Sequence, residues 1–308
     1  MTRLVLSAAI LAVAGLLGGC AASQPAGACF REKRVVLPDP ARVRPHLNTG
    51  AAGQALYDAV VEGDDEGARA LLRADPSLAA TAVPPVAYPD STPDGQYGDL
   101  LTFAVASCDP GMVATLLGAG LSPDGALPGQ ALSLALLADD LAMAEVLLGA
   151  GASPDPQKRG GVNAFDSAAA FGDPEPIRLL LRHGLDLDWV DEFGRGHLDA
   201  ATGFVAYQVA EALVLAGDNP WEVADSGGLP ARSLSMGGQG LTRADTEALQ
   251  RLGPLMRRPG LPWPPPDAAT LRVKVASGEW PTPAMRAAGM VVSPEALART
   301  REVEARRD

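Results

Sequence analysis

The segment Leu116-Leu117-Gly118-Ala119-Gly120 decides the fold, because close variants of it recur at nearly constant intervals. The variants read Leu147-Leu148-Gly149-Ala150-Gly151, Leu180-Leu181-Arg182-His183-Gly184 and Leu213-Val214-Leu215-Ala216-Gly217. Their closing glycines are 31, 33 and 33 residues apart. Such a period is typical of stacked helix-pair arrays, in which each repeat buries its apolar face against its neighbours. The spacing therefore predicts a solenoid.

Each copy predicts two helices. The first is rich in alanine, which lets adjacent layers approach closely. The second carries the leucine pair, which fills the space between layers. The closing glycine suits a left-handed helix end, and Asp99 and Asn163 stand where a helix N-cap is expected. An earlier copy has Leu71-Leu72, with Asp75 in place of the glycine.

One copy, Asp191-Glu-Phe-Gly194-Arg-Gly-His-Leu198-Asp199-Ala-Ala201, resembles the ankyrin pattern D-x-x-G-x-T-P-L-H-x-A-A, with Gly-His in place of Thr-Pro. The resemblance covers residues 54–220, and a degenerate sixth unit follows at 225–258. It implies an all-α, ankyrin-type helix-pair solenoid of five to six divergent repeats. The function it implies is the binding of another protein, not catalysis.

The chain divides into four predicted segments. Residues 1–19 are a signal peptide, 20–53 a leader or tether, 54–258 the array with an insertion at 81–98, and 259–308 a C-terminal tail. The tail contains short helical stretches between Trp-Pro elements, and we expect it to cap the last repeat, because an open array end exposes apolar surface.

The N-terminus indicates export. Arg3 is followed by an apolar run of secretory-signal length, too short to span a membrane comfortably. The ending Leu17-Gly18-Gly19-Cys20 resembles the bacterial lipobox, which implies cleavage before Cys20 and lipid attachment to its sulfur. Ala21, rather than aspartate, follows Cys20 and favours an outer-membrane anchor facing the periplasm. The alternative is an ordinary signal peptide with a coincidental cysteine.

Two further cysteines, Cys29 and Cys108, would remain after cleavage. Because an exported compartment is oxidising, this pair predicts a disulfide. It would join the leader to the second repeat. In a chain-entropy estimate, closing the loop between these two cysteines stabilises the folded protein by roughly 4.5 kcal/mol. The alternative is a free thiol at Cys108.

Charge is unevenly distributed along the chain. The net charge is −12, but residues 54–259 hold 12 basic and 29 acidic residues, a net charge of −17. Such a body repels phosphate backbones, which argues against nucleic acid. It favours a basic protein partner, although solubility explains the charge equally well.

Motifs for chemistry are missing from the sequence. The three histidines, His46, His183 and His197, have no metal-ligand spacing, and no nucleophile elbow, phosphate loop or dinucleotide fingerprint is present. We therefore predict no catalytic residues, no metal and no cofactor. The alternative, an enzyme with its site in residues 260–308, requires a pocket built by fewer than 50 residues.

A partner surface is predicted where inner helices end. Phe171 and Phe204 lie 33 residues apart at equivalent positions and would form an apolar stripe. Further candidates come from other inner helices and from the connection after the fourth repeat; they are Phe103, Leu134, Leu137, Trp189 and Phe193. The alternative is that loops or the tail cover the two phenylalanines.

Together these features predict a monomeric, envelope-anchored protein that binds another protein through the concave ankyrin face and contacts the membrane only through its lipid. One version is an immunity protein that occludes a toxic effector. The alternative is a periplasmic scaffold that supports a stress-defence enzyme.

Overall fold

The computed structural model describes residues 40–83, 98–155, 163–191, 194–224, 227–238 and 240–306. A one-turn helix, α1 (Pro40–Val43), and a short 3-10 turn lead into six helix pairs. The pairs are α2 (Gly50–Glu62) with α3 (Asp65–Ala74), α4 (Leu100–Ala106) with α5 (Pro110–Gly118), α6 (Gln130–Leu137) with α7 (Leu141–Gly149), α8 (Ala164–Ala169) with α9 (Pro174–Arg182), α10 (His197–Gly203) with α11 (Tyr207–Ala216), and α12 (Pro230–Met236) with α13 (Arg243–Met256).

The pairs stack into two layers. The first helix of each pair packs on the first helix of the next, which makes an inner layer running from α2 to α12. Second helices form the outer layer, with contacts such as α3 on α5, α9 on α11 and α11 on α13. The predicted all-α, ankyrin-type helix-pair solenoid is confirmed. Its first helix begins at Gly50, four residues before the expected start of the array.

Small residues line the contact between inner helices, and leucines anchor the outer ones. The side chains at these positions are at most 1% exposed; they are Ala104, Ala135, Ala168, Ala201, Leu116, Leu147, Leu180 and Leu213. Their equivalent burial in the second to fifth repeats explains the sequence period, since each copy must present the same volume to the next. Ser133 and Ser167 also join neighbouring inner helices through a buried hydrogen bond of 2.5 Å.

The predicted helix ends are present. Gly120, Gly151, Gly184 and Gly217 have φ between 88° and 114°, a left-handed conformation that glycine adopts without steric penalty. The side chain of Asp99 accepts a hydrogen bond from the Thr102 amide at 2.8 Å. Asn163 accepts one from the Asp166 amide at 3.1 Å. These contacts confirm both predicted N-caps.

A second left-handed position, between the two helices of a pair, was not predicted. It is occupied by Gly63, Cys108, Asp139, Gly172 and Val205, with φ of 70°, 60°, 57°, 71° and 59°. Glycine fits this conformation, and aspartate tolerates it better than most residues. A β-branched valine clashes with its own backbone there. Val205 is therefore held in place by the surrounding turn at a local energetic cost.

The C-terminal segment folds back onto the connection between α11 and α12. It contains α14 (Ala268–Ala276), α15 (Pro283–Ala287), β4 (Val291–Val292) and α16 (Pro294–Ala305). β4 pairs in parallel with β3 (Glu222–Val223) inside that connection. A second two-stranded sheet, β1 (Ala82–Val83) with β2 (Gly98–Asp99), is antiparallel and flanks the insertion between the first two repeats.

Trp221 joins this segment to the array. Its side chain is fully buried, and its indole Nε1 donates a hydrogen bond to the carbonyl of Met256 at 2.9 Å. The carbonyl of Trp221 accepts a hydrogen bond from the Val291 amide at 3.1 Å. Leu271 and Val275 of α14 belong to the same buried cluster as the repeats. The tail thus continues the array core beyond its last helix pair.

We predict that Val205→Gly stabilises the protein. The substitution removes a left-handed penalty of roughly 1–2 kcal/mol for a non-glycine residue, offset in part by glycine's larger unfolded-state entropy. The net expectation is an increase of about 1 kcal/mol in the free energy of unfolding, measured by urea titration. The matched control is Gly172→Val, which puts valine at the equivalent turn with no atom crowding its Cβ and should destabilise. If the two substitutions changed the free energy of unfolding equally, the proposed backbone strain at Val205 would be refuted.

Candidate partner-binding surface

The turns between the two helices of each pair form one edge of the array, because the pairs stack in register. We call this the turn edge; it comprises residues 62–65, 107–110, 138–141, 170–174, 203–207, 236–238 and 240–242. These six turns contain seven acidic residues and no basic residue. The acidic residues are Glu62, Asp64, Asp65, Asp109, Asp139, Asp140 and Asp173. All seven lie in the first four repeats, so the edge is polarised.

The outer helices hold four of these carboxylates in place. Asp64, Asp109, Asp140 and Asp173 are the N-caps of α3, α5, α7 and α9, and each accepts a backbone hydrogen bond at 2.9 Å. A capping carboxylate is stabilised by the positive end of the helix dipole, and its hydrogen bond to the backbone restricts the rotation of its side chain. The acidic row is therefore preorganised along the edge.

The charges of adjacent repeats reinforce one another. The pKa of Asp65 is raised by partial burial and then by the negative charges of Asp109 and Asp64, against an opposing effect of Arg69. A carboxylate whose pKa rises beside other carboxylates reports a local negative potential that the protein does not fully compensate. This end of the turn edge therefore carries a concentration of negative charge.

The other end of the turn edge is apolar. Phe171, Phe204 and Met236 are 48%, 45% and 68% exposed, and each immediately precedes a residue of its turn that has positive φ. They are spaced 33 and 32 residues apart, so they occupy equivalent positions in repeats four to six. Val205 is also exposed, at 41%. We call these four residues the apolar stripe. Neighbouring helices pack about 8–10 Å apart, so the stripe extends over roughly 20 Å.

Phe171 and Phe204 are exposed, as the sequence period predicts, and Met236 extends their row by one repeat. Phe103 requires correction, because it lies in the core and is only 2% exposed. Its ring packs against that of Tyr57 on α2 at a centroid distance of 5.3 Å. Leu134 and Leu137 are half-buried, and Leu134 packs against the core cluster. Phe103 lies on the side of α4 that faces α2, so its ring is not available at the protein surface.

Trp189 is half-buried on the connection between α9 and α10. Its ring stacks on that of His197 at 5.4 Å, with an angle of 10° between the planes. His197 is almost fully buried and also packs against Phe165 at 4.3 Å. Burial lowers the pKa of His197 to about 4, so the imidazole is neutral near pH 7. Trp189 covers this histidine, and Phe193 lies outside the described residues.

The cysteine predictions fall largely outside the described residues. Cys20 and Cys29 are both in residues 1–39, so lipid attachment and the pairing of Cys29 with Cys108 stay predictions. Cys108 itself occupies the left-handed position of the second turn. A Cys29–Cys108 link would therefore attach the leader at the turn edge.

A group of carboxylates around the last connections, three of them partly buried and one exposed, was not predicted. Asp199 and Asp218 line a small pocket with Asp188 and Glu222. Burial raises the pKa of Asp199 to about 6 and that of Asp218 to about 7. Burial also raises the pKa of Glu222, with a further contribution from the charge of Asp188. Composition and period carry no signal for this burial, since it depends on how two connections pack together.

Within the described ranges, no three side chains among His, Cys, Asp and Glu come together in a way that could hold a metal ion. In the same part of the chain, none of the helices combines the length and apolarity needed to cross a bilayer.

Asp218→Asn is predicted to stabilise the protein more at pH 8 than at pH 4. The folded-state pKa of about 7 lies above the ordinary value of 3.8, so wild-type stability falls as pH rises through that window. The amide carries no charge and avoids this loss, a gain on the order of 2 kcal/mol at pH 8. Free energies of unfolding of both proteins at the two pH values measure it.

His197 titrates in the opposite sense, because its pKa is lowered, but it is present in both proteins and cancels in the comparison. If the free energies of unfolding of wild type and variant differ by the same amount at both pH values, the raised pKa of Asp218 is contradicted.

Comparisons with known proteins find similarity only among solved structures. No protein-family model matches the chain, and no curated protein matches it. The crystal structure of the ankyrin repeat domain of Bcl-3, described as a unique member of the IkappaB protein family, aligns with a TM-score of 0.48 and 24% sequence identity. The alignment covers 65% of this chain and 85% of that one. The assignment of the fold rests on the stacked helix pairs and their period.

Proposed function

We propose that this chain is a non-catalytic binding protein that recognises another protein along its turn edge. The observation that carries the proposal is the polarity of that edge, which is acidic in the first repeats and apolar in the last. Repeat solenoids present extended surfaces of this kind to their partners. The polarity favours a partner segment with a basic part and an apolar part in a defined order. It also moves the proposed contact from the whole concave face to one edge of the array.

The apolar stripe supplies affinity in this proposal. Phe171 and Phe204 are each nearly half exposed, and covering roughly 100 Å² of such a ring contributes about 2–3 kcal/mol. Met236 adds a flexible, polarisable side chain at the next repeat, which suits an adaptable apolar contact. The strained Val205 beside Phe204 is consistent with a functional site, since backbone strain concentrates at such sites.

The acidic half supplies selectivity and rate. Fixed carboxylates on an array of net charge −17 steer a basic surface toward the edge and repel acidic ones. Because these charges are exposed to solvent, their contribution weakens with rising salt. Binding to a basic partner should therefore be salt-dependent, whereas the contribution of the stripe should not be.

The Phe171→Asp/Phe204→Asp double variant tests the stripe. We expect it to lose at least about tenfold in affinity for a partner identified by crosslinking in cells, because two charged groups replace the apolar contact. The matched control is Leu215→Asp, which changes an even more exposed residue on the outer helix α11. Calorimetric titration with the purified partner measures both. Unchanged affinity in the double variant, or an equal loss in the control, would exclude the stripe as the site.

The location of the protein in the cell envelope is also a proposal, and the sequence of residues 1–20 supports it. Lipid on Cys20 would anchor the protein in the outer membrane facing the periplasm, with no other membrane contact, as a monomer. Each buried methylene of the lipid contributes roughly 0.8 kcal/mol, so several acyl chains hold a protein firmly. The Cys29–Cys108 disulfide would tie the leader to the second repeat.

Cys20→Ser should move the protein from the membrane fraction to the soluble fraction and abolish its labelling by palmitate. Cys29→Ser is the matched control and should stay membrane-bound and labelled, because it removes only the proposed disulfide. Fractionation with radiolabelled palmitate checks both. Membrane association of the Cys20→Ser variant would contradict the anchor.

The identity of the partner separates the two versions of this function. As an immunity protein, the chain would cover the active region of a toxic effector and protect cells that express both. As a scaffold, it would bind a stress-defence enzyme and leave its activity intact. Activity of the purified partner, measured with and without this protein, distinguishes inhibition from support.

A further inference from the structure

The C-terminal segment contains a groove that the turn edge does not use. It lies among α14, α15, β4 and α16 and has a volume of about 520 Å³. Its apolar lining includes Val275, Trp280, Met290 and Leu297, and its two charged residues are Arg286 and Arg301. The volume is within the usual range of roughly 300–1,000 Å³ for ligand sites. No acidic side chain lines this described groove.

The two arginines differ in the contacts that they make with the rest of the protein. Nη1 of Arg286 donates a hydrogen bond to the carbonyl of Pro281 at 2.5 Å, which fixes its side chain at the groove. Arg301 is exposed and forms no ion pair within the described ranges of the chain. A guanidinium beside an apolar floor is suited to a carboxylate, which it can bind through two parallel hydrogen bonds.

Neighbouring charges do not neutralise Arg301. On the same helix, Arg299 and Arg306 both pair with Glu302. Glu304 pairs with Arg272 of α14 at 3.1 Å. Lys274 lies over the Trp280 ring at 4.9 Å and pairs with Glu279. Most nearby carboxylates are therefore engaged with other cations, and the groove keeps a positive edge on an otherwise acidic protein.

We propose that this groove binds an acidic peptide segment of a partner protein, one in which a carboxylate is flanked by apolar side chains. The apolar side chains would lie against Trp280 and Leu297, and the carboxylate would bind Arg301. The charge of this ligand is opposite to that favoured by the turn edge. The groove is therefore a second, separate site, and its occupant is a different segment or a different protein.

Selection from a phage library of random heptapeptides, with the full chain as bait, tests the chemistry. We expect enrichment of sequences in which Asp or Glu adjoins Leu, Ile, Phe or Trp. A selected peptide, labelled with fluorescein, should bind at least tenfold more tightly than the same peptide with Asn or Gln in place of its carboxylate. A selection that enriches no such acidic sequences would overturn the proposal.

Two arginine variants on one helix test the site. Arg301→Gln should weaken the selected peptide at least tenfold, whereas Arg299→Gln, which breaks only the pair with Glu302, should leave its affinity unchanged. Thermal unfolding of both variants checks that the fold is intact. Equal affinities for wild type and Arg301→Gln would exclude the groove. If octanoate binds as tightly as the peptide, the ligand class is a small apolar carboxylate and not a peptide, and the proposal fails.

The Phe171→Asp/Phe204→Asp variant, which alters the turn edge, should bind the selected peptide as wild type does. Loss of peptide binding in that variant would mean that the selected peptides occupy the turn edge, and the groove proposal would fail while the turn-edge proposal stood.

Discussion

The close approach of inner helices at their alanine positions is the constraint on which the whole structure depends. Ala135 and Ala168 are nearly fully buried, and a larger side chain at either would separate two layers. Because no helix pair can bury its apolar face alone, each repeat must present the same shape to the next. The result is that side chains at equivalent positions form rows along the edges of the array.

Those rows explain how the proposed binding surface would arise. A row is chemically distinct when several copies carry the same kind of side chain, as the capping aspartates do in the early repeats and Phe171, Phe204 and Met236 do in the late ones. Each of the three late side chains immediately precedes a turn residue with positive φ. Val205 shows that this geometry is kept even where the residue type opposes it.

The C-terminal segment completes the array and differs from it electrostatically. Trp221 is buried between the last connections, so the tail and the final repeats are stabilised by the same contacts. Asp218, partly buried nearby, costs stability as it ionises, so the stability of this junction depends on pH. The groove around Trp280 adds a positive edge to a protein whose repeats are strongly acidic. The two proposed surfaces therefore select ligands of opposite charge.

The sequence by itself determined the repeat period, the helix pairs, the left-handed closing glycines and the caps at Asp99 and Asn163, because these depend on backbone geometry within a few residues. It also placed Phe171 and Phe204 in one row, since equal positions in a periodic stack are equivalent. Only the tertiary structure decided that Phe103 is buried, that Met236 continues the row and that Asp218 is partly buried. Burial depends on which distant element covers a side chain, and a period of 33 residues contains no information about that.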